Sequence, residues 1–139
     1  LCPMISWKGK ESVKPLKILI VDDELLIRWS LSQALSQEGH EVMAVENAIK
    51  AIDATQRYFF DYIITDLVMP ERDGWTVLEF ARQNHPSSRV ILITAYGAED
   101  TRRIARERGA WAYIEKPYLI DEIKKILKEG PEGRHDNSN

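Results

Sequence analysis

The chain has 139 residues, of which 44% are hydrophobic and 29% charged, with a formal net charge of −3. This is the size and balance of one globular domain with a sizeable core, and its mild acidity excludes the electrostatic footprint of a direct nucleic-acid binder. The sequence has no apolar run long enough to span a bilayer, no signal-peptide pattern and a single cysteine, Cys2, that can form no internal disulfide, all of which fits a cytoplasmic location.

Residues 1–15 lack a clear period and end in Lys14-Pro15, so they read as a leader or remnant outside the core, with Met4 a candidate natural start. Lys17 to Val21 is a continuous apolar, β-branched run, as expected of a strand buried on both faces. Glu24 to Glu38 has helical spacing. Ile27, Leu31, Ala34 and Leu35 form its core stripe, while Leu25 and Trp29 lie four apart on nearly the opposite face. Gly39 supplies a left-handed stop. Glu41 to Val45 reads as a second strand and Ala48 to Tyr58 as a second helix. Asp61 to Asp66 follows as a third strand and Trp75 to Asn84 as a helix closed by Pro86. Arg89 to Thr94 is a fourth strand, and Glu99 to Arg108 a helix stopped by Gly109. In that helix Arg102, Arg103, Arg106 and Arg108 are interleaved with Glu99, Asp100 and Glu107, the pattern of a solvated face. Trp111 to Glu115 is a fifth strand, with Trp111 expected on the same face as Tyr113, and Leu119 to Glu129 a last helix. Residues 130–139 contain no large apolar side chain and read as a polar tail or cut linker.

Five β-α units in a row imply an α/β fold, a parallel sheet with helices on both faces. Ligands of such sheets bind beyond the carboxyl ends of the strands. Those ends are chemically loaded: Asp22-Asp23-Glu24 after the first strand, Asp66 after the third, Thr94 after the fourth, and Lys116-Pro117 after the fifth. Singly, each has an ordinary reading: helix cap, Asx turn, strand-end hydroxyl, solvated charge. Together they bring carboxylates, a hydroxyl and an ammonium to one rim. Clustered carboxylates need a cation, and hard oxygen donors suit Mg²⁺. Phosphoryl transfer asks a protein for positioning and charge neutralisation, and this set offers both.

The segments Ile-Leu-Ile-Val-Asp22-Asp23-Glu24, Ile-Ile-Thr-Asp66-Leu-Val-Met-Pro70-Glu-Arg-Asp-Gly74, Ile-Leu-Ile-Thr94-Ala95 and Ile-Glu-Lys116-Pro117 resemble the receiver domains of two-component response regulators. The resemblance covers residues 16–129. It implies a single (βα)5 flavodoxin-like domain with strand order 2-1-3-4-5. It also implies a phosphorylation-activated signalling switch rather than an enzyme, in which Asp66 accepts a phosphoryl group from a sensor histidine kinase or phosphotransfer protein. By the same resemblance Asp22, Asp23, Asp66 and the backbone carbonyl of Val68 hold Mg²⁺, with Asp23 the more direct ligand of the first pair. Thr94 and Lys116 engage the phosphoryl group, and Thr94 and Tyr113 move as the switch. A cis bond is implied before Pro117, and Gly74 is expected at a left-handed turn. The output surface is the fourth helix, fifth strand and fifth helix, serving a homodimer or a downstream effector domain. The exposed Leu25-Trp29 pair offers a docking surface for the kinase. Val68 and Tyr96, two residues after Asp66 and Thr94, supply no general base, which implies a persistent phosphorylated state.

Two rivals share parts of this pattern. A Mg²⁺-dependent aspartyl-phosphate phosphatase needs a cap over its substrate, and the chain has no insertion long enough to build one. A flavodoxin-like cofactor binder wants a Ser-, Thr- or Gly-rich loop after the first strand, where Asp22-Asp23-Glu24 repels an anion instead. Within the receiver reading, the chain fits either a stand-alone relay or the receiver of a larger transcriptional regulator. A weak local likeness to receivers of AAA+ enhancer-binding factors lies in Leu-Ile-Arg-Trp-Ser-Leu and Thr-Ala-Tyr-Gly.

Overall fold

Each apolar run finds its place in one sheet because it is hydrophobic on both faces. In the computed structural model, which describes residues 14–69, 73–95 and 97–130, the chain alternates strand and helix. The elements are β1 (Lys17–Val21), α1 (Leu25–Gln37), β2 (Glu41–Val45), α2 (Ala48–Arg57), β3 (Tyr62–Asp66), α3 (Gly74–Asn84), β4 (Arg89–Thr94), α4 (Thr101–Glu107), β5 (Ala112–Glu115) and α5 (Ile120–Glu129). The expectations for Cys2, Met4, Pro70, Tyr96, most of the leader and the tail from residue 131 fall outside the described residues. All five strands are parallel, in the order β2-β1-β3-β4-β5. This is the expected flavodoxin-like order, with crossovers that leave α1 and α5 on one face and α2, α3 and α4 on the other.

Strand alternation divides the core in two. Ile18, Ile20, Tyr62, Ile64, Ile91, Ile93 and Ile114 pack with Leu31 and Leu35 of α1 and Ile123 and Leu127 of α5. Leu19, Val21, Ile63, Val90, Leu92 and Tyr113 pack with Ala48, Ala51 and Ala54 of α2, Val77 and Leu78 of α3, and Ala105 of α4. The small residues of α2 let that helix lie close to the sheet. The predicted stripe of α1 holds: Leu31 and Leu35 are buried and Ile27 and Ala34 half-buried, while Leu25 and Trp29 are exposed. Leu26 joins them on the outer surface.

Local chemistry sets the helix ends. Asn47 caps α2 by accepting from the Lys50 N–H at 2.8 Å, and Asp73 caps α3 by accepting from Thr76. Gly39 and Gly109 end α1 and α4 at φ near +98° and +97°, where a side chain is strained. Helix α4 starts at Thr101, two residues later than the expected Glu99. The Thr101 hydroxyl accepts the Ala98 N–H at 2.7 Å, and this turn holds Glu99 and Asp100 outside the helix.

Two expectations are corrected. Gly74 does not occupy a left-handed turn, since the positive-φ glycines among the described residues are Gly39, Gly109 and Gly130. It is the first residue of α3, pressed against the end of β3. A Cβ there would stand 2.5 Å from the Asp66 carbonyl oxygen and 2.8 Å from the Leu67 Cα. Trp111 does not share a face with Tyr113. It precedes the regular pleat of β5, so strand alternation does not govern it, and it packs on the opposite core against Arg89, whose guanidinium lies 4.9 Å from its ring centre.

Candidate functional site

The parallel sheet delivers Asp22, Asp66, Thr94 and Lys116 to one edge because each follows directly from, or ends, a strand whose hydrogen bonds fix its position. The Asp22 N–H donates to the Val45 carbonyl, the Leu67 N–H to Ile93, and the Lys116 N–H to Thr94 at 2.8 Å. Asp22, Asp66 and Thr94 are buried at 3%, 7% and 0% exposure, whereas Asp23 and Val68 face solvent. The site is therefore a shallow pocket with a buried floor and an open acidic lip.

Asp22 and Asp66 divide their oxygens in the same way. In each, Oδ1 accepts from the backbone N–H two residues on, Glu24 at 2.8 Å and Val68 at 3.3 Å. These are local Asx-type bonds, so the turn reading of Asp66 is correct as far as it goes, whereas Asp22 makes such a turn where a helix cap was its ordinary reading. The second oxygen, Oδ2, points to Lys116, whose Nζ lies 3.3 Å from Asp66, 3.8 Å from Asp22 and 3.6 Å from Glu24 Oε1. Glu24 makes no side-chain cap for α1, although it occupies the cap position. The Lys116–Pro117 bond is cis, as the resemblance implied.

One ammonium cannot neutralise this many acids. Burial raises the Asp22 carboxyl from 3.8 to about 6; the Glu24 N–H pulls it down, Asp66 pushes it up, Lys116 pulls it down, and Asp23 pushes it up again. Asp66 is also raised, chiefly by burial, against the pull of Lys116 and the Val68 N–H. Burial works against the Lys116 ammonium, yet its pKa is raised because Asp66 and Asp22 together outweigh that loss. One oxygen from each of Asp22, Asp23 and Asp66 falls within 4.8 Å of the others. An all-oxygen donor set with a surplus of negative charge fits a hard divalent cation. Asp22, Asp23, Glu24, Asp66 and Lys116 thus come together in space, with Thr94 ending the strand whose carbonyl holds the Lys116 N–H. No spacing or motif pointed to Arg28, which donates from Nη1 to the Asp22 carbonyl at 2.7 Å and ties α1 to the site.

Tyr113 is buried at 9% exposure, with its hydroxyl 3.4 Å from Glu115 Oε2 and the Arg102 guanidinium 4.9 Å over its ring. The arginine-rich helix is mainly a solvated face, as expected: Arg103 pairs with Asp100 and Glu107. Its pattern did not reveal that Arg102 and Arg108 lie over the rings of Tyr113 and Trp75.

A family model described as the response regulator receiver domain matches residues 18–128. The chain belongs to that family. Receiver domains are phosphorylation-activated switches of two-component signalling, and that is the function class of this chain. Among curated relatives, sporulation initiation phosphotransferase F of Bacillus subtilis is 34% identical over 113 residues, spanning 81% of this chain and 91% of the relative. The DNA-binding transcriptional regulator NtrC of Proteus hauseri is 32% identical over 111 residues, but these make up only 24% of its length. Among solved structures, a CheY-like receiver domain protein from Methanospirillum hungatei superposes with a TM-score of 0.79 at 31% identity, covering 84% of this chain and 93% of that one. The receiver fold is shared with that solved structure. The membership displaces both the phosphatase and the flavodoxin-like cofactor binder. Among the described residues, no helix is long and apolar enough to cross a membrane.

Proposed function

We propose that Asp66 is the phosphoacceptor of this receiver and that it takes its phosphoryl group from a phosphohistidine on a sensor kinase or phosphotransfer protein. The observation that carries the assignment is the position of Asp66 Oδ2, buried and 3.3 Å from Lys116 Nζ, beside two further carboxylates. In the reaction Asp66 Oδ2 forms a bond to phosphorus as the bond to the donor nitrogen breaks, and the imidazole, which carries a proton on its other ring nitrogen in the phosphohistidine, leaves neutral. Oδ1 stays bound to the Val68 N–H and holds the carboxylate in line. Lys116 pairs with Oδ2 at rest and with a phosphoryl oxygen afterwards, and the Thr94 hydroxyl donates to another.

Asp22, Asp23, Asp66 and the Val68 carbonyl would hold Mg²⁺, which when bound neutralises charge on the transferring group. Tyr113 and Thr94 form the switch that carries the added charge to the face made by α4, β5 and α5. That face would meet a second copy or a downstream effector domain. The domain boundaries proposed are 16–129 for the receiver, with a leader before and a linker or tail after. One relative is matched over nearly its whole length and another over a quarter of it, so both a free-standing relay and the receiver of a larger regulator are supported. A cytoplasmic location goes with either.

The partner surface is proposed around α1, where Leu25, Leu26 and Trp29 are exposed at 67%, 79% and 60%. Leu25 and Leu26 follow Asp23 and Glu24 directly in the chain, and the three exposed apolar side chains suit a helical phosphotransfer partner. Trp29→Ala is expected to slow phosphoryl transfer from a phosphorylated histidine protein at least about tenfold, the loss typical of an aromatic anchor. Uptake from acetyl phosphate, which needs no docking, stays at the wild-type rate. Equal rates with both donors would remove the docking surface from the account. A phosphohistidine protein that cannot discharge onto the wild-type chain at all would count against the donor class.

A further inference from the structure

Gly97, in the loop between β4 and α4, lies directly against the Tyr113 hydroxyl. A Cβ at this position would collide with that oxygen, and it would stand 3.1 Å from Glu115 Oε2 and 3.4 Å from Tyr113 Cζ. Gly97 is not among the positive-φ glycines, so its backbone would accept a side chain and only the space would not. The same hydroxyl faces Glu115 at 3.4 Å, and Arg102 covers the ring. Gly97, Arg102 and Glu115, from three different segments, therefore surround the ring and hydroxyl of Tyr113, with Thr101 hydrogen-bonded to the same hydroxyl.

We propose that Gly97 is a positioning residue of the switch. By lacking a Cβ it opens the socket, completed by Arg102 and Glu115, that holds Tyr113 inward and so couples the phosphoryl pocket to the α4-β5-α5 face. This inference rests on the switch role proposed for Tyr113. Its physical content is a population argument. A ligand of the phosphoryl site that prefers the tyrosine-inward state binds with an apparent affinity proportional to the fraction of molecules already in that state. A methyl group at residue 97 occupies the place of the hydroxyl, so the ring must leave the socket or the loop must move. Either change lowers that fraction.

The test is calorimetric titration with beryllium trifluoride, a tetrahedral phosphoryl mimic that binds carboxylate oxygen, at saturating Mg²⁺. Thermal melts accompany each variant to establish that it is folded. Gly97→Ala is expected to weaken binding at least about threefold, the size of a modest shift in the inward population. Tyr113→Phe removes the oxygen that the new methyl would strike and leaves Cζ at ordinary contact distance. In that background Gly97→Ala is expected to change the affinity hardly at all, so the second substitution rescues the first. Equal weakening in both backgrounds would assign the effect to the loop backbone and overturn the socket. Unchanged binding by Gly97→Ala in the wild-type background would overturn it as well. Tyr113→Ala separates the two levels of the argument. If it binds the mimic with wild-type affinity, the switch role of Tyr113 fails and the socket with it. If Tyr113→Ala weakens binding and Gly97→Ala does not, only the socket fails.

Discussion

Asp22→Asn is expected to stabilise the metal-free chain at pH 7.5 while abolishing Mg²⁺-dependent phosphoryl uptake. Asp22 is 3% exposed and titrates at about 6 in the folded chain instead of 3.8. A carboxyl raised on folding binds its proton more tightly in the native state, so its ionised form opposes folding. The penalty is absent below the unfolded value near 3.8, grows as pH rises toward 6, and is complete above that. Two pKa units correspond to a ceiling on the order of 2–3 kcal/mol. Asparagine keeps an oxygen for the Glu24 N–H and loses the charge, leaving Lys116 to Asp66 and Glu24. Urea melts of wild type and variant should therefore differ by about 1–3 kcal/mol in favour of the variant at pH 7.5, with the gap closing toward pH 4. In wild type, Mg²⁺ should raise the melting temperature at pH 7.5 and do so less at pH 5, because below pH 6 the metal competes with a proton on Asp22. The variant should show neither Mg²⁺ stabilisation nor uptake. A variant less stable than wild type at neutral pH would mean that the Asp22–Lys116 attraction outweighs the cost of burial.

The stability cost falls on the residues whose positions along the chain were the clearest signal of function. A run such as Ile18 to Val21 can only be a central strand. Once five such runs alternate with helices, the topology alone brings Asp22, Asp66, Thr94 and Lys116 to one rim. The convergence of the site and the exposure of Leu25 and Trp29 were legible from the order of the elements and their spacing, whereas the strand order came with the resemblance to receiver domains. What depends on the distance between elements was not. The Trp111 side chain was assigned by alternation, but the pleat begins one residue later. The start of α4 was placed at Glu99, although a hydroxyl–backbone bond at Thr101 decides it. Arg28, Arg102 and Gly97 contribute through contacts with residues remote in sequence or on other elements, for which no spacing rule exists. Gly74 was recognised as a required glycine but for the wrong cause. A motif shows where a glycine sits, and only the packing shows whether conformation or room requires it.

Gly74→Ala is the second large effect. The first residue of α3 rests on the backbone of Asp66 and Leu67, with its own N–H donating to the Leu67 carbonyl at 2.8 Å. A methyl 2.5 Å from the Asp66 carbonyl oxygen meets main-chain atoms that no rotamer change can move aside. Either α3 shifts outward, opening the core around Val77 and Leu78, or the end of β3 is displaced. Overpacking of this kind costs about 1–3 kcal/mol, so the urea midpoint should fall accordingly. The displacement acts on the residue that bears the candidate nucleophile. Phosphoryl uptake from acetyl phosphate should therefore drop by more than about tenfold even where the variant remains fully folded, as expected for a misplacement on the order of 1 Å. An alanine variant with wild-type uptake and stability would show that α3 can yield without disturbing Asp66. Gly39→Ala is the informative contrast. Its strain is conformational, with nothing within 4 Å of the added carbon, and it lies at the far end of α1, so it should lower stability and spare uptake.

The central claim is that Asp66 accepts a phosphoryl group in a reaction that depends on the acidic pocket. The most direct measurement is intact mass after incubation with acetyl phosphate, with and without Mg²⁺, for wild type and Asp66→Ala. The account predicts a gain of one phosphoryl group, about 80 Da, in wild type with Mg²⁺ only, and none in the variant, consistent with oxygen-ligated metal assistance of phosphoryl transfer. A gain that persists in Asp66→Ala, or one indifferent to Mg²⁺, would contradict it.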